Sequence, residues 1–202
     1  MNLTEWQKEL LQETFNMALG AAAAVISRLV KQEVFLNIPT AEITTLSKII
    51  EETDQENPIS VVYEKFKGEF NGHSFMIYDE KASLDLVAAI LGVDFQGSQM
   101  TLMEADTLME IGNIILQNCL HELGNCLERP LAADLPHISL GNATTILSRS
   151  DTIPLDRNVI VFKMGFRIEK SSTKSIIKIV LETEDIQKVL TSLDQYQERL
   201  VS

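Results

Sequence analysis

The chain has 202 residues, 45% of them hydrophobic, and 17 Lys and Arg against 29 Asp and Glu give a net charge of −12. That length allows one large domain or two small ones, with a core that needs no disulfide or metal staple. The apolar content argues against disorder, and the acidic balance argues against nucleic acid or an anionic membrane surface as a partner, since both need clustered Lys and Arg.

In chain order, the opening MNLTEWQKELLQ has neither the basic segment nor the apolar stretch of a signal peptide, so a cytoplasmic protein is expected. No run approaches the roughly 18 apolar residues of a membrane helix, so membrane insertion is not expected. Thr4 followed by Gln7 is a capping-box signature that opens a helix running to about Lys31. Its predicted buried stripe is Leu11, Phe15, Ala18, Ala22, Val25 and Leu29. An extended piece then ends at Pro39. Two strands, ISVVYEKFKGEF and HSFMIYDE, flank Asn71-Gly72, a strong hairpin signal, and a helix follows from Lys81 to Leu91. GVDFQGSQ reads as a linker. Thr101 and Glu104 then open a second long helix running to Cys126, with Leu108, Ile111, Ile115, Cys119, Leu123 and Cys126 as its stripe. Another extended piece ends at Pro136. The strands NVIVFKMGFRI and KSIIKIVLETE flank a polar turn from Lys170 to Lys174, and a closing helix covers Asp185 to Leu200.

This order is a duplication. One offset of 97 residues takes Thr4 to Thr101, Leu11 to Leu108, Glu13 to Glu110, Asn16 to Asn113 and Pro39 to Pro136. A lone hairpin with helices buries too little area to stand alone. The halves 1–97 and 98–202 are therefore expected to share one sheet in one domain of α+β class. Strand order is not deducible at this level.

Several chemistries have no trace. The sequence holds no phosphate-cradling GxxxxGK[ST] or GxGxxG run and no GxSxG elbow. His73, His121 and His137 are far apart, and HELGN places Asn125 where a zinc-binding HExxH needs its second His. No metal site is expected. Cys119 and Cys126, seven apart on one helix face, lie about 10 Å apart along the axis, too far for a disulfide, and read as reduced core residues.

What remains is the face of each long helix opposite its apolar stripe. Glu9, Glu13 and Asn16 fall within about 60° of one another, as do Asp106, Glu110 and Asn113. A solvated helix face is the bland reading of any one such Glu. Yet the pattern occurs twice at matching places, and Asn in mid-helix costs propensity that Ala, Glu or Lys would not. Gly20, Ala23 and Ser27 continue the first face with small side chains that would let another surface approach.

These residues resemble the CheC family of chemotaxis phosphatases, with its relatives CheX and FliY. The family pattern is Asp/Ser-x3-Glu-x2-Asn-x22-Pro. The second half matches it fully as Asp106, Glu110, Asn113 and Pro136; the first half gives Glu9, Glu13, Asn16 and Pro39, departing only at Glu9. Two motifs, and no further flagellar-switch domain, look most like CheC. The resemblance implies both long helices side by side on one face of a mixed, mostly antiparallel sheet, with further helices packed on it. It implies hydrolysis of the aspartyl-phosphate of a CheY-type receiver. Glu13 and Glu110 would dock the receiver's Lys, and Asn16 and Asn113 would orient the attacking water. Glu9, Asp106, Pro39 and Pro136 would be supporting residues. No cofactor of its own is implied, Mg²⁺ being expected on the phosphorylated receiver. The alternative is a non-catalytic adaptor that docks receivers or the deamidase CheD.

Overall fold

In the computed structural model the described residues are 2–53, 57–92, 100–148, 154–168, 175–183 and 186–201. The capping boxes form where the sequence places them. Thr4 and Thr101 each accept from the backbone three residues on, while Gln7 and Glu104 reach back, opening α1 (Glu5–Val30) and α4 (Leu102–Leu127). Both helices end on a non-glycine residue in the left-handed conformation, Lys31 (φ 53°) and Glu128 (φ 54°). That conformation lets the chain turn off a helix at a cost usually met by glycine. It occurs at two positions 97 residues apart, so the halves share this backbone feature.

After α1 comes β1 (Val34–Thr45), with a register shift between Asn37 and Thr40, where Pro39 lies. After α4 the matching segment is interrupted: β4 (Leu131–Ala133) and β5 (His137–Gly141) flank Pro136. Proline has no N–H for a ladder, so in both halves the strand is disturbed at that residue. The extended segments thus continue past the prolines instead of ending there. Two six-residue helices, α2 (Leu46–Glu51) and α5 (Ala143–Ser148), follow at matching positions, opened by the side chains of Thr45 and Asn142, which accept from first-turn backbone N–H groups. The hairpins are β2 (Ile59–Gly68) with β3 (Gly72–Asp79), and β6 (Asn158–Ile168) with β7 (Ser175–Thr183); α3 (Glu80–Leu91) and α6 (Ile186–Val201) follow them. The linker around Gly97 and Ser98 and the turn from Lys170 to Lys174 lie outside the described residues.

The seven strands form one sheet in the order β1-β6-β7-β3-β2-β4, with β5 also on β2. Each half lends its first strand to the other half's hairpin: β1 pairs with β6, and β4 and β5 pair with β2. The α+β class and the two helices on one face hold. The expected mixed sheet does not, because every pairing among the described residues is antiparallel. Sequential hairpins and edge strands returning from the opposite half run antiparallel without any crossover.

One face of the sheet carries the main core, where α1, α3, α4 and α6 pack on Val62, Phe66, Met76, Phe162, Met164 and Ile179. The other face is covered by α2 and α5 through Leu46, Ile49, Ala143 and Leu147. The stripe of α4 is buried as predicted, with Cys126 half-buried at its end. That of α1 shifts toward Leu19, Ile26 and Val30, leaving Val25 half-buried and Leu29 55% exposed.

Candidate functional site

The long helices use their buried stripes to lie on the sheet, and this turns the opposite stripes outward. Glu9, Glu13 and Asn16 on α1 are exposed, as are Asp106 and Glu110 on α4, while Asn113 is half-buried. Neither asparagine is a core residue. The fold therefore presents both triplets on the outer surface of the helical layer. Pro39 lies within β1 and Pro136 in the break between β4 and β5, both in the extended segments that follow the long helices.

The surroundings of the two triplets differ. On α4, Gln117 Nε2 donates to Asn113 Oδ1 at 2.8 Å, one helical turn along. The matching place on α1 is Gly20, exposed, where an added β-carbon would meet no atom within 4 Å. Of the other small residues on that face, Ser27 is committed to structure: its Oγ accepts from Val34 N at 3.0 Å, tying α1 to β1.

Beside the second triplet runs an open groove lined by Leu29 of α1, Ile90 of α3, and Met103, Asp106 and Glu110 of α4. Leu29 and Met103 are 55% and 63% exposed there, and Met17 beside Asn16 is 56% exposed. Sequence reasoning missed this groove because it assigned Leu29 to the buried stripe and gave Met103 no role.

No described residue offers rival chemistry. His121 is exposed on α4, and His73 and His137 are joined through a ladder of rings with Phe75 and Tyr63 on the far side of the sheet. His73 Nδ1 lies 3.0 Å from Glu182 Oε2, and Arg157 Nε lies 3.8 Å from the same carboxylate's Oε1, so this buried charge is held by two bases. Among the described residues no group of three His, Cys, Asp or Glu is placed to hold a metal. Both cysteines are free thiols. Burial first, and the nearby Glu64 charge second, push the Cys119 thiol far above its ordinary value, which removes it as a nucleophile. Glu64 itself is fully buried beneath the helices and shares its Oε1 with Ser74 Oγ at 3.3 Å, while Oε2 has no partner. Burial raises its carboxyl to about 7 against the lowering effect of the Ser74 bond. No helix among the described residues is long and apolar enough to cross a membrane.

No protein-family model matches the chain. The flagellar motor switch phosphatase FliY of Bacillus subtilis (strain 168) is 18% identical over 180 residues, covering 88% of this chain and 47% of FliY. The chain thus spans about half the length of this curated relative. Among solved structures, Thermotoga maritima FliY matches with a TM-score of 0.80 at 16% identity, covering 97% of this chain and all of that one. The FliM middle domain of H. pylori matches with a TM-score of 0.69 at 12% identity, covering 94% and 99%. CheX in its complex with CheY, BeF3 and Mg²⁺ from Borrelia burgdorferi matches with 0.51 at 16% identity, covering 86% and 97%. These likenesses agree on one fold over nearly the whole chain.

Proposed function

We propose that this chain, whose fold is of the CheC/CheX/FliY type, is a phosphatase that hydrolyses the aspartyl-phosphate of a CheY-type receiver in chemotaxis signalling. The observation that carries the reading is the presentation of both Glu/Asn pairs, an acid and an amide at matching places, on the outer surface of α1 and α4. A receiver brings the acyl phosphate and a lysine of its own, so the phosphatase need supply only docking and water. Glu13 and Glu110 each offer an exposed carboxylate for that lysine and fix the register of docking. Asn16 and Asn113 each offer an amide that both donates and accepts, which suits an attacking water held in line with phosphorus. Positioning of this kind is the main lever in phosphoryl transfer. Any Mg²⁺ requirement is expected to enter with the receiver. Asp106 and Glu9, one turn before each Glu, are proposed to order the helix face.

An adaptor reading has one observation in its favour. The same fold occurs in FliM solved in complexes with FliG and with SpeE, so it also serves as a binding module. A receiver or CheD would then be bound without turnover. The two readings separate in one assay, the decay of a phosphorylated CheY-type receiver with and without the chain. The phosphatase reading expects faster decay that is lost in Asn16→Ala/Asn113→Ala. Receiver binding with unchanged decay would replace it by the adaptor.

A further inference from the structure

Leu29 of α1 and Met103 of α4 line one groove and are left 55% and 63% exposed. Half-buried Ile90 and buried Ile111 complete its apolar lining, and the exposed carboxylates of Asp106 and Glu110 give it an acidic rim. At the matching place in the other half the side chains are drawn in. The 97-residue offset takes Met103 to Trp6 and Leu29 to Cys126, and both of these are half-buried. The Cys126 thiol is hydrogen-bonded to Thr14, the counterpart of Ile111. Beside it, Gln7 Nε2 donates to Asp194 Oδ1 at 2.8 Å and ties the start of α1 to α6. Neighbouring apolar side chains left in water and rimmed by polar ones mark an interaction surface.

We propose that the groove of Leu29, Ile90 and Met103 seats apolar side chains of the phosphorylated receiver, beside the lysine that Glu110 docks. This rests on the phosphatase reading above. Asp106 and Glu110 belong at once to the groove and to the second motif, so a receiver docked through Glu110 covers the groove as well. The rim selects the occupant by charge. It suits an apolar side chain next to a base, which a surface carrying the docking lysine offers. A second copy of this chain would bring the same two carboxylates, on a body of net charge −12, against them. Contacts remote from the phosphorus are made alike before and during the reaction, so the groove acts on KM and leaves kcat alone. With Trp6 and Cys126 drawn in, the first face docks with less apolar contact, and the two faces differ in affinity for one receiver.

The test isolates the second face in Asn16→Ala and follows dephosphorylation of a CheY-type receiver. Leu29→Gln/Met103→Gln keeps helix propensity while removing the apolar lining. It should raise KM about tenfold with kcat within about twofold. Leu29→Met/Met103→Leu, which keeps the lining apolar, should hold KM within about twofold. Both positions are more than half exposed, so melting temperatures should stay within about 2 °C. A second readout needs no turnover. The Met103 methyl in the ¹³C NMR spectrum should shift when a receiver activated with Mg²⁺ and beryllium fluoride is added. If Asn16→Ala is no more active than the double asparagine variant, the phosphatase reading of the second motif fails, and the methyl titration still reports whether a receiver covers the groove. An unchanged KM in the glutamine variant, beside a working Asn113, overturns the groove proposal while that reading stands. An unmoved Met103 methyl overturns it too. A methyl that shifts with the chain's own concentration assigns the groove to a second copy and overturns it equally.

Discussion

The two halves of this molecule share a backbone plan and differ in what fills it. Phe162 on β6 pairs with Ala41, and Val62 on β2 pairs with Ile138; since the offset takes Ala41 to Ile138, Phe162 and Val62 occupy matching places. Above Phe162 sits Phe15 of α1, its ring stacked at 3.8 Å. Above Val62 sits Gly112 of α4, where a β-carbon would lie 2.8 Å from Val62 Cβ and Cγ1. One half fills the gap between helix and sheet with two rings, and the other closes it with none. Two residues further along the strands, Met164 in one half is matched by the buried Glu64 in the other. The comparison teaches that the two halves share caps, strand exchange and the outward face, while the core beneath each face is packed differently. The two faces therefore need not work equally.

The largest effect should come from the faces themselves. In the receiver assay, Asn16→Ala/Asn113→Ala should leave only the receiver's own hydrolysis rate, and Asn113→Ala alone should cost more than Asn16→Ala. Asn113 stands in the motif with Asp at its first position; Glu9 in the other is longer by a methylene, which displaces a carboxylate by about 1 Å, enough to matter where a water must be aligned. Neither asparagine is buried, so melts should place both variants within about 1 kcal/mol of wild type. A larger loss from Asn16→Ala would reverse the ranking of the halves, and full activity in the double variant would end the catalytic reading of both.

The next effect probes the unequal cores. Phe15→Ala removes one of two stacked, fully buried rings and should cost about 3–5 kcal/mol. Gly112→Ala asks α4 to move from a β-branched side chain with little rotamer freedom, and should cost about 1–3 kcal/mol. Urea denaturation of both variants measures the pair. A neutral Gly112→Ala would show that α4 can lift from the sheet, and that the close approach is not what seats the second face.

Much of this plan was legible in the sequence because its signals are local. Thr4 with Gln7 and Thr101 with Glu104 mark the helix starts, and the repeated Glu/Asn spacing marks the outward faces. The exchange of first strands between halves was not legible, since pairing of Thr44 with Val159 leaves no mark on either segment. Six-residue helices such as Leu46–Glu51 are too short for a periodic pattern. The Asn71-Gly72 hairpin was found for an incomplete reason. Neither residue takes the left-handed conformation. Instead, a β-carbon at Gly72 would sit 2.0 Å from the Glu182 carbonyl of the neighbouring strand, so glycine is needed for close approach. At the site, the exposure of the asparagines was readable from helix phase. The hydrogen bond from Gln117 to Asn113 is set by side-chain torsions that no spacing reveals.

Glu64 offers a smaller, pH-dependent distinction between the halves. Its folded carboxyl titrates near about 7 because burial disfavours the charge, against 4.5 for the ordinary value. A raised acid is protonated in the folded state while ionised in the unfolded one. Stability is therefore unpenalised below about pH 4.5, falls as pH rises between the two values, and carries the full cost above about pH 7. Glu64→Met, which copies Met164, removes that cost but leaves Ser74 without its acceptor. The variant should exceed wild type by about 1–2 kcal/mol at pH 8 and differ little at pH 5. Parallel stability curves for the two proteins across that range would show that Glu64 stays charged, and that its half of the core admits water.

The smallest effect concerns Gly20, the position at which the two faces differ most plainly. Glycine within a helix gives up more backbone entropy on folding than any other residue, and alanine at an unstrained site recovers about 0.5–1 kcal/mol. Gly20 is such a site: its φ is not left-handed, it is exposed, and no atom lies within 4 Å of the added methyl. Gly20→Ala should therefore raise the melting temperature by about 2–4 °C. Activity is the sharper readout. The matching position on α4 carries a glutamine, so if both faces dock the receiver in the same way, a methyl at Gly20 is smaller than what the other face already accepts. Dephosphorylation by Asn113→Ala/Gly20→Ala should then stay within about twofold of Asn113→Ala. A raised KM in a more stable protein would mean that the first face needs a closer approach than the second, and the two halves would then differ in docking as well as in core packing.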